Sequence, residues 1–279
     1  MAGLAVRGDG MASKLKAPLI LSGIIAGLAV ASSVGPFYFD LYWRDEPLAL
    51  GAWQGTDLTT LLVAVPLLVL GIILTMRNSA SGILLWIGML EYMLYNFIYY
   101  LLGARMNEFF LIYVALTALS LLAIISAMNN AWLTAIGSTF RKKTPARLIS
   151  LFMFVVALVL AGLWSHQWFQ VTLKGADAGM PAEVMHLIAS VDMTVYVPVM
   201  LVVAGMLWRR TPLGYAQATS LMVASTVFPL TLIASAPFQA RAGVAGAWNT
   251  VPLWAVIAAG SLLCCVALFR NMQKPHFTE

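Results

Sequence analysis

The chain has 279 residues, of which 61% are hydrophobic and only 10% are charged. Soluble domains are close to half apolar and a quarter charged, so this composition excludes a soluble fold and indicates that lipid surrounds most of the chain. The net charge of +5 does not indicate nucleic-acid binding, because basic residues in membrane proteins serve as topology signals in the loops.

A transmembrane helix needs about 20 consecutive apolar residues. We therefore predict an all-α polytopic membrane protein of about eight transmembrane helices in one membrane domain, 1–279. The apolar runs that are long enough to span lie at residues 17–35, 58–76, 80–102, 109–128, 148–168, 187–208, 214–236 and 248–269.

The basic residues of the loops predict the orientation. With the N-terminus in the cytoplasm, 12 of the 16 Lys and Arg fall on the cytoplasmic side and 4 fall outside. By the positive-inside rule, this distribution of basic residues predicts that both termini lie in the cytoplasm. We predict that the protein resides in the inner (plasma) membrane of the cell. Most acidic residues, including Asp57, then belong to the outer loops. A cleaved signal peptide covering residues 1–31 is an alternative for the first run, because Ala29-Val30-Ala31 resembles a cleavage site.

A shift of 132 residues aligns the two halves of the chain, and places Pro66 on Pro198 and Gly82 on Gly214. Each half contains four runs, an even number, so the two units would be parallel repeats, as in some transporters. The first run has a counterpart in the second unit, which argues against its cleavage. The predicted parts are a cytoplasmic leader 1–16, a first unit 17–128, a basic linker 129–147, a second unit 148–269 and a tail 270–279.

The third run carries the main chemical signal, since one helical face is polar and aromatic and the other is apolar. Glu91 lies near the middle of this run, where an ionisable side chain costs roughly 2.5–3.5 kcal/mol to insert and must face protein or water. The candidate ligand- or ion-pathway residues on this helix are Glu91, Tyr92, Tyr95, Asn96 and Tyr99.

The sixth run carries a second acid, Asp192, which we predict to lie about one turn inside the outer surface. Tyr196 follows four residues later, as Tyr95 follows Glu91, so each tyrosine hydroxyl is expected to reach the preceding carboxylate. These side chains predict a site between the two units, in the outer half of the membrane. The alternative for each acid is a packing role, with a hydrogen bond to a neighbouring helix.

Patterns for other chemistry are missing from the sequence: it has no glycine-rich phosphate loop, no nucleophile elbow and no His-Glu-x-x-His motif. His166 and His186 could in principle ligate haem, but nothing in their spacing fixes a facing geometry. We predict no catalytic residues, no cofactor and no metal. The expected partners are the lipid bilayer and a small-molecule ligand, with no nucleic acid.

Two stretches of the sequence resemble bacterial multi-pass membrane proteins that have no assigned activity. The resemblance covers about half of the chain and implies a bacterial origin, without a mechanism. Its residues are Tyr95-Asn96, Tyr99, Gly103, Asn107, Phe110-Leu111 and Tyr113, followed by Asp192, Pro198 and Arg209 to Tyr215.

The polar helix face within a duplicated bundle favours a small-solute or proton-coupled transporter, or a small-molecule-binding protein of that architecture. The alternative is a non-catalytic membrane subunit or sensor that binds a partner or a lipophilic ligand. A membrane enzyme ranks third, because no pair of catalytic groups has a defined spacing.

Overall fold

The computed structural model describes residues 8–128 and 130–273, and these ranges fold into eleven α-helices. The predicted ends of the leader and tail, residues 1–7 and 274–279, lie outside the described residues. The helices are α1 Gly8–Val34, α2 Pro47–Thr59, α3 Val65–Met76, α4 Ala80–Gly103, α5 Phe110–Ala127, α6 Asn130–Gly137, α7 Ala146–Trp168, α8 Ala182–Val191, α9 Val197–Trp208, α10 Pro212–Arg241 and α11 Val251–Asn271.

Several of these helices are joined end to end. A π-helical segment, Thr60–Ala64, connects α2 to α3, and a second, Asp192–Tyr196, connects α8 to α9. The described residues therefore contain eight continuous helices that are long and apolar enough to cross a membrane. This confirms the prediction of an all-α integral membrane protein with eight spans. The spans are Leu15–Phe37, Pro47–Met76, Ala80–Gly103, Phe110–Ala127, Ala146–Leu173, Ala182–Trp208, Pro212–Arg241 and Val251–Asn271.

The second span begins at Pro47, eleven residues before the predicted start at 58. Its first part is rich in small and polar residues, and Thr56, Asp57 and Thr59 are buried because α2 packs against α10 rather than lipid. Hydropathy detects only lipid-facing helices well, so this part resembled a loop. The assignment of Asp57 to an outer loop is wrong: Asp57 lies within a spanning helix.

Proline explains the π-helical joints. Pro66 and Pro198 are each the second residue of the helix that follows a joint. A proline ring clashes with the carbonyl four residues earlier and provides no N–H for it. Those carbonyls belong to Leu62 and Thr194, inside the two π segments, so the wider turn accommodates the ring.

The same two spans also end alike. Asn78 and Arg210 follow them with φ of 57° and 56°, the left-handed conformation that stops a helix. The next residues, Ser79 and Thr211, start α4 and α10 as N-caps whose hydroxyls accept hydrogen bonds from backbone N–H groups three residues later.

The centre of the bundle is formed by α4 and α10, which pack directly against each other. Gly88 permits this contact, because a Cβ atom at Gly88 would lie 2.7 Å from Cβ of Val223. Of the eight spans, α4 is the most buried. Its polar and aromatic side chains therefore face protein on several sides, and this arrangement positions the candidate site.

Candidate functional site

Asp192 is the first residue of a π segment and is only 6% exposed. The hydroxyl of Tyr99 donates a hydrogen bond of 2.6 Å to Oδ1, and the indole N–H of Trp164 donates one of 2.8 Å to Oδ2. The hydroxyl of Tyr95 also donates to Oδ1. We call these four residues the Asp192 cluster; it joins α4 and α7 to the α8–α9 span.

An aromatic surface surrounds the Asp192 cluster. The ring of Tyr95 lies 4.6 Å from that of Phe228 and 5.6 Å from that of Tyr196, measured between ring centroids. The Tyr196 hydroxyl bonds Ser225 Oγ on α10 at 3.1 Å. The predicted hydrogen bond from Tyr196 to Asp192 is therefore wrong, because the π segment changes their relative orientation and α10 provides another partner.

Asp192 lies well inside a continuous helix. The spanning helix starts at Ala182 instead of 187. Ten residues separate Asp192 from that start, or roughly 15 Å at the α-helical rise. The helix continues through residues 182–187, which the apolar run did not include, and the depth of about one turn below the outer surface stays a prediction.

Glu91 lies midway along α4 and faces α10. Ser220 Oγ donates a hydrogen bond of 2.9 Å to Oε1, while Oε2 is buried and has no hydrogen-bond partner among the described residues. The Tyr95 hydroxyl bonds Asp192 and Tyr99, so the predicted bond from Tyr95 to Glu91 is also wrong.

The other candidates on α4 have separate surroundings. The Tyr92 hydroxyl pairs with Thr60 Oγ1 at 3.0 Å. Asn96 is buried, and its Nδ2 lacks a partner in the described part of the chain. The structure thus brings together Tyr95, Tyr99, Asp192 and the ring of Tyr196, but it does not join Glu91, Tyr92 or Asn96 to them by hydrogen bonds.

Asp57, which the sequence pattern places in an outer loop, is a second buried carboxylate held by hydrogen bonds from tyrosines. It is 7% exposed, and it accepts hydrogen bonds of 2.8 Å from the hydroxyls of Tyr42 and Tyr100, one at each oxygen. Tyr100 also donates to the Trp53 carbonyl at 3.1 Å. We call Asp57, Tyr42 and Tyr100 the Asp57 cluster. The polar residues spaced along 54–60 lie directly before an apolar run. Their spacing was the sequence pattern that could have indicated a buried polar helix face.

The two clusters share an unusual electrostatic feature. Among the described residues, no Lys, Arg or His side chain is hydrogen-bonded to Asp57 or Asp192. Tyr42, which lies in the loop before the second span, has its pKa raised well above the ordinary value by burial and by nearby Asp57. Tyr42 is therefore a neutral phenol that donates its proton toward the carboxylate.

A small surface pocket of about 40 Å³ lies between the loop before α2 and the loop after α4, and it is lined by Leu41, Trp43, Arg44, Arg105, Met106, Asn107 and Glu108. The polar groups of the clusters are packed against one another and against aromatic rings.

The carboxylates of Asp57 and Asp192 can each take up and release a proton. Protonation changes the number of hydrogen bonds that a carboxylate accepts.

The chain matches no protein-family model, and comparisons with curated proteins and with solved structures find no match either.

Proposed function

We propose that the protein is a proton-coupled transporter of small solutes in an occluded state, with Asp192 as the proton-binding group. The observation that carries this proposal is the Asp192 carboxylate itself. It is buried in a spanning helix, it receives three hydrogen bonds from neutral donors, and no described basic side chain is bonded to it. Intramembrane acids of this kind mark ion and proton pathways.

Protonation of Asp192 would change the contacts between helices. An ionised carboxylate accepts hydrogen bonds at both oxygens, whereas the protonated acid turns one oxygen into a donor. Tyr95 and Tyr99 come from α4 and Trp164 comes from α7, so proton uptake weakens the links that hold these helices on Asp192. This couples proton binding to helix movement, as a transporter requires.

We further propose that residues 17–128 and 148–269 are duplicated units related by a pseudo-twofold axis. Support comes from contacts that recur after a shift of 132 residues. Gly55 packs on Ser235. The residues that correspond to these two, Leu187 and Gly103, also pack on each other. The counterpart of Gly88 is Ser220, which contacts Gly88 directly, as expected where an axis passes between α4 and α10.

The proposed duplication also supports a transport function. Parallel repeats build several transporter folds, in which the substrate site lies between the units. The Asp192 cluster combines α4 of the first unit with α7 and α8–α9 of the second. The position that corresponds to Asp192 is Thr60, one turn after Asp57, so the units have diverged at this place.

For orientation, we propose a bacterial inner (plasma) membrane with both termini in the cytoplasm. The loop distribution of Lys and Arg supports this topology, and the resemblance to bacterial proteins supports the source. Asp57 and Asp192 then both lie in the outer half of the membrane.

A second candidate is a non-catalytic membrane subunit or sensor that binds a partner or a lipophilic ligand. The packing of the Asp192 cluster favours it, because Tyr95, Tyr99 and Trp164 already occupy the hydrogen-bonding positions of the carboxylate. It predicts that the protein purifies with a stoichiometric partner from gently solubilised membranes.

The decisive experiment reconstitutes the full chain in liposomes that contain a pH-sensitive dye. Small solutes are added one at a time, and proton movement is recorded. We expect at least one solute to drive proton flux in the wild type and in Asp40→Asn, an exposed loop control, but not in Asp192→Asn. Solute-driven flux that persists in Asp192→Asn would contradict the role of Asp192, and the absence of flux with every solute would favour the subunit or sensor.

A further inference from the structure

The Asp57 cluster has no part in the proposed role of Asp192, yet polar groups extend from it to the protein surface. The surface pocket, at about 40 Å³, has room for two or three water molecules. Asn107 lines this pocket. Its amide is held by two hydrogen bonds, from Nδ2 to the Leu41 carbonyl at 3.2 Å and from the Phe109 N–H to Oδ1 at 2.9 Å.

Tyr113 lies between Asn107 and the Asp57 cluster. It is only 1% exposed, and its hydroxyl lies beside the side chains of Asn107 and Tyr42. That hydroxyl completes no hydrogen bond with a described residue. A buried hydroxyl left unpaired is unfavourable, so its retention at this point needs a reason.

Tyr42 completes the connection, because its hydroxyl donates to Asp57 Oδ2 at 2.8 Å. The order of groups from water inward is therefore Asn107, Tyr113, Tyr42 and Asp57. Among the described residues, the titratable groups that face Asp57 are tyrosines: Tyr42 from the loop, Tyr113 from α5, and Tyr92 and Tyr100 from α4. From α10, which also packs on α2, Ser235 and Gln239 meet the α2 backbone with uncharged groups.

We propose that Asp57 is a second proton-binding site, loaded from the surface pocket through Tyr113 and Tyr42. A hydronium ion that enters from the pocket past Asn107 gives a proton to the Tyr113 hydroxyl and becomes water, while Tyr113 passes its own proton to Tyr42. Tyr42 then passes its proton to Oδ2 of Asp57. Each phenol ends as neutral as it began, and Asp57 becomes a carboxylic acid. This goes beyond the proposed function, since it concerns another carboxylate on another span.

A proton suits this site better than a metal ion. Both oxygens of Asp57 already accept phenol hydrogen bonds of 2.8 Å, whereas a hard cation needs about six oxygen ligands directed at it. The phenol hydroxyls that surround the carboxylate are proton donors in this arrangement.

The test is infrared spectroscopy of the full-length protein in membranes, during a pH titration and after transfer to D₂O. We expect a carboxylic-acid carbonyl band that disappears as pH rises and that is missing in Asp57→Asn but present in Asp192→Asn. In Tyr113→Phe the band should remain, while its shift on deuteration should slow severalfold. Tyr113→Phe removes a hydroxyl without a described hydrogen bond, so folding should be preserved, and exposed Tyr38→Phe is the matched control.

Three results would overturn the proposal. One is a set of carbonyl bands in Asp57→Asn identical to those of the wild type. Another is deuteration in Tyr113→Phe at the wild-type rate, which would reject the route. The third is a loss of the band on adding Na⁺ or K⁺ at constant pH, which would identify a metal-cation site instead. The liposome assay tests Asp192 and the infrared titration tests Asp57, so either proposal can fail while the other stands.

Discussion

Tyr99 and Tyr100 are neighbours on α4, but their hydroxyls donate to carboxylates on two different spans. Tyr99 bonds Asp192 at 2.6 Å and Tyr100 bonds Asp57 at 2.8 Å. Consecutive helical residues point about 100° apart, so one turn of α4 reaches both sides of the bundle. A rotation of α4 that loosens one of these bonds also moves the other tyrosine.

The first prediction separates the two clusters with a matched pair of variants. Tyr99→Phe should reduce solute-driven proton flux, because it removes a donor from Asp192, and it should leave the infrared band of Asp57 in place. Tyr100→Phe should alter that band, because it removes a donor from Asp57. Each should lower the free energy of unfolding by about 1 kcal/mol, typical of an interhelical hydrogen bond in a membrane. Identical changes in flux and in the infrared spectrum would reject this separation.

The second prediction concerns the indole of Trp164. Trp164→Phe keeps an aromatic ring but removes the N–H that bonds Asp192 Oδ2. The Asp192 carboxyl then loses a donor and its link to α7, so solute-driven proton flux should fall. Trp168→Phe, at an exposed tryptophan of the same helix, is the control. A fall of equal size in both variants would show that the hydrogen bond is not responsible.

The third prediction tests the contact between α4 and α10. Gly88→Ala should destabilise the protein by about 1–3 kcal/mol, because the added methyl group overlaps α10 and the helices must separate. Gly205→Ala on α9 is the control, since a Cβ atom there meets open space and alanine favours the helix. Thermal unfolding in detergent measures both, and equal melting temperatures would contradict the close approach.

The fourth prediction uses Asp45, a loop residue whose pKa is raised by burial, although hydrogen bonds from the Arg105 N–H and the Trp53 indole oppose the shift. A carboxyl with a raised folded-state pKa binds its proton more tightly in the folded protein. Its contribution to stability is therefore greatest at low pH and is lost as pH rises through the unfolded and then the folded pKa.

Asp45→Asn should remove this dependence. We expect the melting temperature of the wild type, relative to that of Asp45→Asn, to fall as pH increases across that range. Asp40→Asn provides the comparison at an exposed loop acid. A difference between wild type and Asp45→Asn that stays constant or grows with pH would have the wrong sign.

The fifth prediction tests the proposed orientation. In a background without Cys264 and Cys265, single cysteines replace Ser138 and Ala176, which are both exposed and lie at opposite ends of the fifth span. An impermeant maleimide should label Ala176→Cys in intact cells and Ser138→Cys only after the membrane is opened. The reverse pattern would place the termini outside.

The spans were largely predictable from the sequence, because bilayer thickness sets a minimum apolar length. The run predicted at 80–102 is the helix Ala80–Gly103, and that at 109–128 is Phe110–Ala127. The start of the second span was not predictable in this way, because its polar residues face α10. Asp57 was therefore assigned to the wrong environment.

The composition of the Asp192 cluster was predictable only in part. Helical periodicity placed Tyr95 and Tyr99 on a polar face of α4, and Asp192 was recognised as an intramembrane acid. Periodicity gives the direction of a side chain but not its neighbour. The sequence therefore paired Tyr95 with Glu91 on its own helix, whereas α8–α9 packs close enough to supply Asp192 instead.

The π-helical joints have a mechanical consequence for both acidic spans. A π turn holds one residue more than an α turn, and that extra residue can pass to the next turn without breaking the helix. The residues that the π turn passes are rotated by about 100°, and the helix on either side keeps its orientation. The segments Thr60–Ala64 and Asp192–Tyr196 each lie at or just after an acidic residue. A shift of either π turn toward the N-terminus would turn Asp57 or Asp192 away from its tyrosines, while both ends of the span keep their place in the membrane.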